Sequence, residues 1–204
     1  MKLTAHPRLY ISEAHYAKLK TKTDHAISRK ARRNVRTLAN TFLGDPTIVV
    51  DETGHNSHLI RARKMQTRVV TLLAEYKRTG DQKYRVAILA DVKRIANWEY
   101  WSWITWRQGD ARPEAIFDLS YGENSTTLAL AFDGLFRELS DEEKKLFVDA
   151  AVKRSFKPFL HVMKAKNKPM YYKHPHTNWN TVCCGGAGML ALAMGDLCKE
   201  SEAV

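Results

Sequence analysis

Val69-Val70-Thr71-Leu72-Leu73-Ala74-Glu75-Tyr76-Lys77-Arg78-Thr79-Gly80-Asp81-Gln82-Lys83-Tyr84-Arg85-Val86-Ala87-Ile88-Leu89-Ala90-Asp91-Val92 decides how this chain folds. On either side of Thr79-Gly80-Asp81 the apolar residues recur every three or four positions, the period of a helix with one buried face. Before the break stand Val69, Leu72, Leu73 and Tyr76; after it stand Tyr84, Ile88, Leu89, Val92 and Ile95. Glycine ends one helix and aspartate opens the next. A link this short makes the two helices, over about 58–78 and 82–97, antiparallel neighbours.

The same period extends outward in both directions. Ser12 is a candidate N-cap for a short helix to about Lys20, and a basic helix spans roughly 25–43, with Ile27, Ala31, Val35, Leu38 and Phe42 on one side. Gly44-Asp45-Pro46 stops it, and residues 51–57 read as a loop. Toward the C-terminus a helix covers about 118–137. Ser140 and Glu143 form a capping box for another that runs to about Phe156 and stops near Pro158. Residues 164–177 are polar and basic, a long surface loop. The helix over about 178–198 is apolar nearly all round and is expected to be buried. The fold class is all-α, one domain over residues 1–204 of stacked antiparallel helical hairpins.

Composition narrows the function. The 204 residues are 44% apolar, enough for a core. No apolar run is long enough to cross a bilayer, and the first residues hold no signal-peptide stretch, so the chain is either cytoplasmic or a mature segment whose export signal has been removed. The net charge is +11, with 20 basic and 9 acidic side chains in residues 1–100 and 13 of each in the rest. The excess favours a polyanionic partner, and the run Arg29–Arg36 either tracks one or is a solvated helix face. No helix-turn-helix, zinc-finger or RNP pattern supports nucleic acid. Cys183 and Cys184 are adjacent and Cys198 is the third, which is no disulfide framework. No cofactor is implied, and His55-Asn56-Ser57-His58 has no further ligand at diagnostic spacing for a metal.

Two segments carry candidate chemistry. In Tyr171-Tyr172-Lys173-His174-Pro175-His176-Thr177-Asn178-Trp179-Asn180, polar, aromatic and imidazole groups converge at a helix N-terminus, where free N–H groups suit an anion. Thr177 or Asn178 can instead simply cap that helix. Gly185, Gly186 and Gly188 let a backbone or a ligand come close. Trp98, Tyr100, Trp101, Trp103 and Trp106, within a structured loop over 98–113, either pack the core or stack on sugar rings, with Arg107, Arg112 and Glu123 able to meet hydroxyls and carboxylates.

Asn178-Trp179-Asn180-Thr181-Val182-Cys183-Cys184-Gly185-Gly186 resembles the Asn-Trp-Asn-x-Val-Cys-x-Gly-Gly signature of heparinase II/III-like polysaccharide lyases. The opening His6-Pro7-Arg8-Leu9-Tyr10, the Thr79-Gly80-Asp81-x-x-Tyr84 element, and Phe132-Asp133-Gly134-Leu135 followed by Leu139-Ser140-Asp141-Glu142-Glu143 are similar to that family in the same order. The resemblance implies an (α/α) toroid, here incomplete and without the β-sandwich domain that normally follows. It also implies β-eliminative cleavage of uronate polymers such as alginate or heparan sulfate, and a periplasmic or secreted full-length protein. The segment expected to carry the catalytic tyrosine lies beyond Val204 in the family's order. In such a reaction the uronate carboxylate must be neutralised before its C5 proton can leave. The resemblance gives that task to Asn178. Trp179 stands where several relatives have a histidine, so the imidazole falls to His176 or His174. Trp179, Asn180, His174, Tyr121, Glu123, Trp103 and Trp106 are the expected substrate contacts. The alternative is a non-catalytic helical module that binds polyanions.

Overall fold

The computed structural model describes residues 3–21, 25–51, 53–165, 175–195 and 197–204. Among them every regular element is helical. The helices are α1 (Glu13–Thr21), α2 (Ala26–Gly44), α3 (Ser57–Thr79), α4 (Gln82–Asn97), α5 (Trp103–Gln108), α6 (Leu119–Leu135), α7 (Asp141–Ala151), α8 (Lys157–Lys164), α9 (Asn178–Met194) and α10 (Lys199–Glu202).

The hairpin forms as its sequence dictates. Gly80 closes α3 in the left-handed region (φ 73°), which costs glycine nothing, and Asp81 caps α4 by accepting from the Lys83 amide. Arg68 and Asp91 join the two helices through a buried ion pair of 2.6 Å. Arg68 also donates to the Phe42 and Asp45 carbonyls, so one guanidinium fastens the end of α2 to α3 and α4.

α6 is the centre of the molecule, packed between α3 and α9. Leu128, Phe132 and Leu135 are fully buried along it. Its contact with α9 has no side chain between the backbones. A Cβ built on Gly122 would lie 2.3 Å from the Val182 carbonyl oxygen, and one on Gly186 would lie 2.3 Å from the Gly122 oxygen. Glycine is therefore required at both positions. Nothing lies within 4 Å of a Cβ at Gly185 or Gly188, so the close approach expected of this glycine cluster is made by Gly186.

Three elements depart from the sequence-based expectation. The helix after Ser140 does not stop near Pro158. The capping box forms as expected, with both of its hydrogen bonds. The chain then passes through a π-helical turn, Val152–Phe156, and continues as α8 with Pro158 in its first turn. A proline ring would collide with the carbonyl four residues back in a regular helix, and the wider turn ahead of it accommodates the ring. α9 is buried on one side only, with Thr181, Gly185 and Leu192 exposed, and it ends at Met194. Within the aromatic stretch, residues 103–108 form α5, capped by Ser102. The expected surface loop over 164–177 lies mostly outside the described residues.

The N-terminal segment is held by α6. His6 is buried, its Nδ1 2.7 Å from Asp133 Oδ1, and its ring stacks on Phe136 at 3.8 Å. The amides of Arg8 and Leu9 donate to the same carboxylate at 2.8 and 2.9 Å. Alone, burial would push the Asp133 carboxyl up, but the hydrogen bonds from His6, Leu9 and Arg8 outweigh it and hold the carboxyl below its ordinary value.

Candidate functional site

The N-terminus of α9 and the whole of α5 meet at the surface. Thr177, not Asn178, is the N-cap, its hydroxyl accepting from the Asn180 amide at 3.3 Å. This leaves the Asn178 side chain exposed on the first turn of α9. Trp179 reaches sideways to Trp103 of α5, edge to face at 6.2 Å. Trp103 lies in turn 4.8 Å from the exposed ring of His55, on the loop before α3. Trp106, one turn further along α5, packs at 4.8 Å on His58. The guanidinium of Arg107 lies over Trp106 and donates to the Thr53 carbonyl. An open wall of indole and imidazole rings results, with the Arg107 guanidinium at its edge and the Asn178 amide at one end.

This wall is braced from behind. Arg61 lies over Trp98 at 4.0 Å and donates to the Tyr100 carbonyl at 2.6 Å and to His58 Nδ1 at 3.0 Å. A guanidinium only donates, so Nδ1 carries the lone pair and the proton of the neutral ring sits on Nε2. Trp101 is buried, its indole N–H bonded to the Ile95 carbonyl. The aromatic cluster thus divides: Trp101 belongs to the core, while Trp103, Trp106 and Trp179 are partly exposed.

The strongest local device is Asp118, which the sequence did not single out. It is fully buried at the start of α6 and accepts from the amides of Ser120 (2.6 Å) and Tyr121 (3.4 Å). Its other oxygen accepts from the Ser102 hydroxyl at 2.6 Å and the amides of Trp103 and Ile104 at 2.8 and 3.4 Å. One carboxylate therefore caps α6 and anchors the N-terminus of α5, so the tryptophan wall is built outward from the core. Burial pushes the Asp118 carboxyl above its ordinary value despite these donors. The signal is the pair Ser102 and Asp118 sixteen residues apart, two N-cap residue types that meet only through the fold.

The other expected contacts are placed as follows. Tyr121 is fully enclosed, stacked on Phe117 at 4.8 Å, with its hydroxyl donating to the Ser155 carbonyl at 3.0 Å. Burial pushes its phenol far above the ordinary range. It is a core residue and does not meet a ligand at this surface. Glu123 lies on the same helix, its carboxylate held by Arg63 of α3 at 3.0 Å. Asn180, about 100° round the helix from Trp179, lines a separate cavity of about 520 Å³ with Phe159, Met163, Pro175 and Cys184. His176 is exposed in the turn before α9. His174 lies outside the described residues. Cys183 is buried, its thiol donating to the Asp118 carbonyl at 3.1 Å, and burial pushes its pKa up. Arg112 pairs with Asp110 in its own loop. Among the described residues no three histidine, cysteine, aspartate or glutamate side chains converge on a metal position.

No protein-family model matches this chain, and no curated protein matches its sequence.

Proposed function

We propose that the protein binds an acidic, uronate-containing polysaccharide along the Trp103–Trp106–Trp179 wall and acts on it as a β-eliminating lyase. The observation that carries this reading is the exposed Asn178 amide on the first turn of α9, next to an indole edge-on to Trp103. Sugar rings stack their C–H faces on indoles, and an amide beside the free N–H groups of a helix N-terminus suits a carboxylate. In this reading Asn178 neutralises the uronate carboxylate so that charge can develop as the C5 proton leaves. His176 or His55 supplies the imidazole that takes this proton and returns one to the departing oxygen as the C4–O bond breaks and the C4–C5 double bond forms. The helical hairpins then form part of an (α/α) toroid, and the protein works in the periplasm or outside the cell.

A second reading, a module that binds such polymers without cleaving them, is favoured by one observation. Of the expected contacts, those at this surface are the partly exposed indoles of Trp103, Trp106 and Trp179, which stack on sugars without reacting, while Tyr121 is enclosed in the core.

Ultraviolet absorbance and tryptophan fluorescence, recorded with polymannuronate, polyguluronate and heparan sulfate, separate these readings. A lyase raises absorbance as the unsaturated uronate forms, and Asn178→Ala abolishes the rise. A binding module quenches fluorescence with no absorbance change. With either, Trp103→Ala weakens binding about tenfold through lost stacking. No quenching and no absorbance with any of the three polymers removes the proposal.

A further inference from the structure

Most charged side chains around the tryptophan wall are committed to partners. Arg61 is turned inward, onto the Tyr100 carbonyl and His58. Arg112 is forked onto Asp110, with Nε at 2.9 Å and Nη2 at 2.7 Å from the two carboxylate oxygens. Glu123 is held by Arg63. Arg107 differs from all of these. It donates to a neutral group, the Thr53 carbonyl, and among the described residues it forms no ion pair with a carboxylate.

Asp51 stands on the loop that Arg107 touches, but it is turned onto its own chain. It accepts from the Thr53 hydroxyl at 2.6 Å and from the Thr53 amide at 2.9 Å. These bonds come first in holding its carboxyl below the ordinary value, and the charge of Arg107 comes last.

The place of Arg107 on α5 is equally specific. It follows Trp103 by four residues, so the two share one side of the helix, about 5–6 Å apart along it. Its guanidinium lies 5.3 Å from the centre of the Trp106 ring, and with the Thr53 bond this contact keeps an exposed side chain beside the wall. The wall therefore has the neutral Asn178 amide near Trp179 and a cation past Trp103, with indole faces between them. An amide meets a carboxylate and a hydroxyl with similar ease. A guanidinium forks onto a carboxylate with two parallel charge-assisted bonds and gains far less from a hydroxyl.

We infer that Arg107 is the residue that selects an acidic sugar over a neutral one. It receives the carboxylate of a uronate unit next along the polymer from the one at Asn178. This rests on the carbohydrate reading above and adds to it the group that sets its charge preference.

The test is tryptophan quenching by polymannuronate and by its carboxyl-reduced, uncharged form, each at low and at high salt. The parent is expected to prefer the acidic polymer. Arg107→Gln should lose about tenfold in affinity for it, keep its affinity for the neutral form, and show a shallower salt dependence. Arg107→Lys, which keeps the charge but not the fork, should fall between the two. The double variant Asp110→Asn/Arg112→Gln removes a cation together with its own carboxylate and should match the parent. Four results overturn the inference and leave the carbohydrate reading standing. They are a parent that binds both polymers alike, an Arg107→Gln variant that binds the acidic polymer as the parent does, one that loses both polymers equally, and a double variant with the same selective loss. A parent that binds neither polymer overturns both.

Discussion

Asp118 and Asp133 sit near opposite ends of the same helix, both buried, and both hold a distant segment by its backbone amides. Their carboxyls are nevertheless displaced in opposite directions. Asp118 is enclosed completely and bonded only by neutral donors, hydroxyl and peptide N–H. Asp133 is met by the His6 imidazole as well as two amides, and its site is less thoroughly desolvated. The number of hydrogen bonds alone does not decide how readily a buried carboxyl ionises. The depth of burial and the presence of a group able to carry positive charge decide it. In functional terms, α6 anchors the tryptophan wall at one end and the N-terminal segment at the other.

Removing each anchor sharpens the contrast. Asp118→Ala uncaps α6 and releases α5 together, and is expected to cost about 3 kcal/mol in urea unfolding, combining a lost cap with stranded buried amides. Tryptophan emission should shift to the red in the folded variant as α5 loosens. Asp133→Asn retains an acceptor for one amide and is expected to cost about 1–2 kcal/mol. It should expose the first residues to proteolysis while leaving tryptophan emission unchanged. Equal emission shifts in the two variants would break the assignment of one anchor to each end.

The smallest effect is on the acid limb of the stability curve. Asp133 has a folded pKa below its unfolded value, so its contribution is complete above about pH 3.8 and is lost as the pH falls through the folded value. Asp118 has a raised folded pKa, so folding takes up a proton there and stability falls as the pH rises from about 3.8 through the folded value. The two slopes oppose each other. In Asp133→Asn the loss of stability on acidification should be shallower than in the parent, measured by thermal unfolding between pH 5 and 3.

The readable parts of the fold were those written in neighbouring residues. Gly80 and Asp81 gave the α3–α4 turn, and Ser140 with Glu143 gave the start of α7, because caps act over three or four positions. Pro158 ends no helix because a π turn ahead of it accommodates the ring, and no pattern of neighbouring residues announces that turn. Tyr121 was assigned to the ligand surface from its motif, yet on α6 it faces Ser125 and Ser155. Its surroundings are set by Phe117 and by the π turn that carries Ser155, which no local pattern specifies. Asn178 stands out in the sequence by its place at a helix start, where the structure makes Thr177 the cap and leaves the Asn178 side chain exposed. Asp118 went unseen because its partners belong to another element. Asn180 follows Trp179 directly, yet successive side chains on a helix stand about 100° apart, and Asn180 lines a different surface.

The meeting of Gly122 and Gly186 has a consequence for how this molecule can change over time. Carbonyl rests against α-carbon there, so the smallest possible addition, a single methyl, must pry two of the longest apolar elements apart. The spot is a closed door in sequence space. The exposed turn that begins at Asn178 is free of this steric constraint, while the helix beneath it stays fixed by two absent side chains.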